Sequence, residues 1–153
     1  MSQPASGARD AVHDLICRYM ELCDVPSVGF SVDALAALFT EDAVWEGVGA
    51  DYAARFGTRS GRDAVIEMVA SHLPPNDHFR RNVHLLGNEQ IDVDTDGGAA
   101  RGRWIMQQLS TYRDGTSELI AARIDAEVDL TGAAALIRRF RTERLFATPL
   151  PAR

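Results

Sequence analysis

The chain has 153 residues, of which 46% are hydrophobic and 25% charged, enough apolar length for one sizeable core without disulfides or a structural metal. Its formal charge of −6 and pI near 5.1 repel phosphate backbones at long range, which argues against nucleic acid as a partner. Arg138, Arg139, Arg141 and Arg144 alternate with apolar residues as in a strand, not as in a basic tail. Cys17 and Cys23 lie six apart in a segment that reads as helix, so their side chains diverge and reduced thiols are expected. The first fifteen residues lack the apolar core of a signal peptide. The longest apolar run, Ala34 to Phe39, falls far short of the roughly 18 residues that suggest a membrane span. A soluble cytoplasmic protein without membrane association is expected.

Residues 1–7, with Pro4 and Gly7, read as a loose tail. From about residue 8, Val12, Leu15, Ile16, Tyr19, Met20 and Leu22 recur at helical spacing and predict a first helix with one buried face. Pro26 disfavours helical geometry at Val25, so the helix should stop close to Asp24. A carboxylate there opposes the helix dipole, an odd placement for a purely structural residue. Ser31 or Asp33 can cap a short second helix carrying Leu35, Leu38 and Phe39. Residues 43–46 read as a brief strand, and 47–60 as a glycine-punctuated loop whose Tyr52 and Phe56 could border a pocket and close over an apolar ligand. A third helix follows Gly61, with Val65, Ile66 and Val69 on its apolar stripe and Pro74-Pro75 as its stop.

The period then changes to two. Strands are predicted over 81–93, 99–113, 117–130 and 134–146, separated by Asp96-Gly97-Gly98, Asp114-Gly115 and Thr131-Gly132. Ile120, Ala122, Ile124, Ala126, Val128 and Leu130 face a core, as do Leu136, Phe140 and Phe146, with Arg138 and Thr142 interrupting the last series. Strict alternation places Asn82, His84, Leu86 and Asn88 on one face of their strand, and Val83, Leu85, Ile91 and Val93 on the other. Helices first and a tight-turned meander afterwards predict a segregated α+β architecture in one domain spanning 1–153.

Among the four histidines, His84 stands apart from His13 on the first helix and from His72 and His78 around the prolines. A helix covering a curved sheet can bring Asp24 over the start of the strand that carries His84. In such a pair the carboxylate fixes one ring nitrogen and leaves the other free to take a proton from carbon or oxygen. Spacing alone leaves an ordinary exposed aspartate and a hydrogen-bonded strand histidine as the competing reading. His72, His78 and His84 form no compact ligand motif, and neither a phosphate loop nor a dinucleotide fingerprint is present, so no metal and no cofactor are expected.

Four stretches carry a family likeness: Ile16-Cys17-Arg18-Tyr19 with Asp24; Leu38-Phe39-Thr40-Glu41-Asp42-Ala43-Val44-Trp45-Glu46; Gly61-Arg62-Asp63-Ala64-Val65; and His84 with Asn88 four residues later. Together they resemble the SnoaL-like branch of the NTF2-like superfamily, over about residues 8–147. The closer likeness is to its scytalone dehydratase, bile-acid 7α-dehydratase and hexachlorocyclohexane dehydrochlorinase group. That resemblance implies a cone in which N-terminal helices close a strongly curved, mostly antiparallel sheet, and a cofactor-independent lyase with Asp24 and His84 as its acid-base dyad. His84 would abstract a proton and Asp24 would orient the ring, with loss of water or another leaving group from the adjacent carbon.

Tyr19 is a candidate helper, although it lies about 140° around the helix from Asp24 and core packing is its competing role. Trp45, Asn88, Trp104, Met106, Tyr112 and Phe140, with Tyr52 and Phe56, are candidate pocket residues suited to a small hydrophobic or aromatic molecule, the apolar ones having ordinary core as their alternative. The run Ala133-Ala134-Ala135 stands where many such domains carry a tryptophan. An isomerase, cyclase or hydrolase in the same cavity, with Glu46 or Asp42 as a second carboxylate, and a non-catalytic binding protein are the alternatives. The outer sheet face, with its alternating Arg, Glu and Gln, suggests a homodimer.

Overall fold

The computed structural model describes residues 5–151. The chain runs α1 (Ala5–Cys23), α2 (Val32–Ala36), β1 (Phe39–Val48), α3 (Gly49–Arg55), β2 (Thr58–Ser60), α4 (Arg62–Ala70), β3 (Phe79–Val93), β4 (Ala99–Tyr112), β5 (Ser117–Asp129) and β6 (Leu136–Leu150). The strands form one six-stranded sheet in the order β2-β1-β6-β5-β4-β3. All neighbours are antiparallel except β1 and β6. The α+β cone expected from the sequence is the observed architecture.

The apolar stripe of α1 packs into this sheet: Val12, Ile16 and Leu22 are fully buried, in one cluster with Trp104, Ile124 and Phe140. Each such side chain contributes roughly 1.5–3 kcal/mol on leaving water. On β5 the even positions from Ile120 to Val128 are all buried, as their alternation requires. Among the described residues no helix is long and apolar enough to cross a membrane. Cys17 and Cys23 are free thiols.

Four local expectations need correction. The first helix already includes residues 5–7, which were read as tail; residues 1–4 of that tail lie outside the described residues. Phe39 starts β1, which is longer than the predicted 43–46 and leaves α2 capped by Ser31, whose hydroxyl accepts from Ala34 N–H at 3.0 Å. The segment 47–60 is a helix and a short strand instead of a loop. Here Tyr52 and Phe56, four apart, meet edge to face at 5.0 Å between ring centroids, an i,i+4 pairing that supports a helical turn.

The fourth correction concerns which way side chains point. Between the pairs Gly87–Ile105 and Gln90–Arg103, β3 spends one more residue than β4. This bulge contains Asn88 with φ 51°, and it exchanges the two faces of the strand beyond it. Ile91, expected opposite His84, is therefore 3% exposed on the core side, while Asn88 is exposed. Likewise β6 carries an extra residue between Arg144 and Phe146, so Phe146 is 55% exposed on the outer face and not in the core. Arg138 is the extra residue of a second β6 bulge, between Ile137 and Arg139.

Candidate active site

The C-terminal end of α1 is stapled to β3. Val25 and Asn82 exchange backbone hydrogen bonds, Val25 N–H to Asn82 O at 2.9 Å and Asn82 N–H to Val25 O at 3.0 Å. Asn82 adds a third tie, its side-chain amide donating to Cys23 O at 3.2 Å. This seam holds Asp24 beside His84. Asp24 Oδ1 accepts from the ring Nδ1 of His84 at 2.8 Å and from its backbone N–H at 2.9 Å. Because a carboxylate oxygen can only accept, Nδ1 carries the proton when the imidazole is neutral, and Nε2 is left with its lone pair. The imidazole is 8% exposed and the carboxylate 26%.

His84 lines an interior cavity of about 130 Å³, between α1, α3, α4 and the sheet. Asp24 does not line it; it borders a separate outer groove of about 430 Å³ with His13, Cys17 and Asn88. His84 borders both, so it links the carboxylate in the groove to the cavity. In that outer groove Glu89, presented by the β3 bulge, accepts from His13 Nδ1 at 2.8 Å and from Trp104 Nε1 at 2.7 Å.

Of the residues expected at the pocket, Tyr19, Trp45, Tyr52, Phe56 and Tyr112 line the cavity. Trp45 Nε1 donates to the Tyr19 hydroxyl at 3.1 Å, and burial holds the Tyr19 phenol protonated well above its ordinary range. Trp104, Met106 and Phe140 are not on the cavity wall. Trp104 lies over Gly102, where a Cβ would fall 2.0 Å from its ring, Met106 is core, and Phe140 stacks behind Trp45 at 5.8 Å. Asn88 is in the outer groove, turned away by the bulge. Glu46 is on the outer face, clamped by Arg139 at 2.8 Å and Arg141 at 3.0 Å. Burial pushes its carboxyl up, but the two guanidiniums outweigh this and hold it below the usual range. Asp42 is exposed.

The lining residues that the sequence reading did not assign to the pocket include the polar side chains of Arg55, His72, His78, Asn82 and Gln108. Gln108 and Ser110 form a buried polar row with Asn82, whose Oδ1 accepts from Gln108 Nε2 at 2.9 Å and from Ser110 Oγ at 2.8 Å. The signal for them was a polar pair on the otherwise apolar even face of β4. His72 Nδ1 donates to Met68 O at 3.0 Å, leaving Nε2 as its free nitrogen. The cavity wall contains no aspartate or glutamate among the described residues.

An α+β cone whose interior cavity is bordered by a carboxylate-backed histidine defines a recognisable class of protein. Residues 5–141 match the SnoaL-like domain, and the chain belongs to that family. The fold is similar to that of a Novosphingobium aromaticivorans protein provisionally described as an aromatic ring hydroxylase, at 22% identity over 97% of this chain and 96% of that one, with a TM-score of 0.79. A type 2 hexachlorocyclohexane dehydrochlorinase matches at 20% identity over 95% and 90% of the two chains, with a TM-score of 0.77. A Novosphingobium aromaticivorans protein provisionally described as a scytalone dehydratase matches at 18% identity over 95% and 89%, with a TM-score of 0.75. No curated protein matches.

Proposed function

We propose that this chain is a cofactor-independent dehydratase or related lyase acting on a small cyclic or aromatic molecule. One observation carries the reading: Asp24 fixes the His84 ring at 2.8 Å through Nδ1, leaving Nε2 as the base of a small cavity that His84 lines. Nε2 takes a proton from substrate carbon, the released pair forms the new double bond, and the leaving group departs from the adjacent carbon with its own pair. Asp24 steadies the imidazolium that results. Tyr19, kept as a phenol by burial, is the candidate donor to the departing group. Solved folds of a dehydrochlorinase and of a protein described as a dehydratase support elimination as the reaction class. A positioned base supplies roughly 10² to 10⁴ in rate, and alignment in the cavity must supply the rest.

In this reading residues 1–153 are one domain working in the cytoplasm. Two copies pair through the outer sheet face, where Val83, Leu85, Leu109 and Phe146 are 38–55% exposed. Sedimentation at micromolar concentration should give twice 16.7 kDa; the monomer mass would remove the dimer.

The polar row of Asn82 and Gln108 favours one second reading, in which those amides hold an oxygen or a water for isomerisation or hydrolysis in the same cavity. The test is α-proton exchange in deuterated solvent and product analysis in ¹⁸O-water, across cyclic hydroxy-ketones, hydroxylated aromatics and chlorinated cyclohexanes. Elimination that depends on His84 is the expected result. Turnover surviving unchanged in folded His84→Gln protein would overturn the reading, and ¹⁸O incorporated into product would favour the second.

A further inference from the structure

The chain as a whole carries a charge of −6, yet the one formal charge among the described residues lining its cavity is a cation, the exposed Arg55 at the rim. Arg55 closes α3 and lines the cavity, its guanidinium 5.5 Å from the Phe56 ring centroid. Nearby cations are already matched: Arg113 to Asp77, and Arg144 to Glu118 at 3.4 Å. The second oxygen of Glu118 is taken by the Tyr112 hydroxyl. Among the described residues Arg55 has no carboxylate partner. Beside it stand His72 and His78, edge to face at 5.1 Å between centroids and brought together from the end of α4 and the start of β3. Burial holds both imidazoles below their ordinary range, against the Met68 hydrogen bond at His72 and together with the His72 charge at His78, and the Arg55 charge adds a smaller push in the same direction at each. An anion at this wall would pair with the unmatched guanidinium and give both rings reason to take up a proton.

Size and lining narrow the anion. A cavity of about 130 Å³ is close to the roughly 150 Å³ that accommodates benzene, so it suits one six-membered ring. Tyr52, Phe56 and Tyr112 offer aromatic faces around Arg55. A guanidinium recognises a carboxylate by paired, charge-assisted hydrogen bonds. We infer that the cavity binds a monocyclic carboxylic acid as its anion, with the carboxylate on Arg55 beside His72 and His78 and the ring among the aromatic side chains. Naming that acid as the substrate rests on the lyase reading above; the binding site itself stands on the unmatched cation and the two histidines.

The probes are benzoate and its neutral isostere benzamide, titrated calorimetrically into the full chain at pH 7 while the histidine ring ¹⁵N signals are followed. Benzoate should bind at least ten-fold more tightly than benzamide and shift the His72 and His78 signals toward the protonated form. The preference should vanish in Arg55→Gln, persist at reduced size in Arg55→Lys, and survive in His84→Gln. Equal affinities, no benzoate binding at millimolar concentration, or a preference that disappears in Arg144→Gln but not in Arg55→Gln would each overturn the inference. Benzoate selectivity in a chain whose turnover ignores His84 would sink the lyase reading alone. Turnover that needs His84, on substrates bound without charge preference, would sink this inference alone.

Discussion

A single oxygen of Asp24 holds His84 twice, at 2.8 Å through the ring Nδ1 and at 2.9 Å through the backbone N–H. The first bond sets the tautomer and the second fixes where the residue's backbone stands. On the proposed mechanism, replacing His84 should therefore cost more than replacing Asp24. His84→Gln is expected to lower kcat by roughly 10² to 10⁴. Asp24→Asn keeps an oxygen that can accept both bonds and loses only the charge, so its loss should be smaller. Initial rates of elimination, with circular dichroism to confirm folding, check the order; an Asp24→Asn loss exceeding that of His84→Gln would contradict it.

Gly47 meets α3 at closer range than any side chain permits. A Cβ there would fall 2.4 Å from Tyr52 O and 3.0 Å from Phe56 Cβ. Because both listeners to that clash are cavity residues, Gly47→Ala should push α3 outward as well as destabilise the fold, by about 1–3 kcal/mol for overpacking of this kind. Urea unfolding gives the stability. Weakened benzoate binding in the same variant would report the shifted wall, and an unchanged urea midpoint would show that α3 yields without cost.

The two thiols differ in setting. Burial pushes Cys23, against the Tyr19 hydroxyl, up to about 12. Both residues are partly exposed; the Cys17 thiol is raised too, by burial and then by the Glu89 and Asp14 charges. Since the thiolate is the reactive form, iodoacetamide at pH 8 should label Cys17 faster than Cys23. Peptide mass spectrometry resolves the two; prior labelling of Cys23 in native protein would contradict its raised thiol.

The Asp24–His84 seam was legible because Pro26 fixes the end of α1 and because simple alternation holds from Asn82 to Leu86. Beyond Gly87 it fails, since one inserted residue reverses every later side chain and leaves no periodicity to read. The available hint was Asn88 itself, a residue type that tolerates φ above zero. Leu145 does the same to Phe146. The helix α3 was hidden by Gly47 and Gly49, although Asp51 and Arg55 sit at the ends that suit a helix dipole, and Tyr52 and Phe56 have helical spacing. Arg55, His72 and His78 come from separate elements, so only tertiary packing brings them together.

The histidines should leave opposite marks on stability against pH. His13 is raised above 6.5, chiefly by its hydrogen bond to Glu89 and partly opposed by burial. Its contribution is therefore complete below about pH 6.5 and lost as pH rises through the folded value. His72 and His78 are lowered from 6.5, chiefly by burial, so the unfolded chain takes up their protons first. Their neutral folded state is fully favourable above about pH 6.5, and that advantage declines as pH falls toward the folded values. Burial pushes the Glu89 carboxyl up, but the Trp104 and His13 hydrogen bonds outweigh it and hold the group below 4.5, outside this window. Urea midpoints from pH 5.5 to 8.5 should show His13→Gln removing part of the decline on the alkaline side. His78→Gln should instead remove part of the decline on the acid side. The half-exposed His13 pair is screened by solvent, so its effect should be small and should shrink further in 1 M salt. The same sign of change in both variants would refute the opposed assignments.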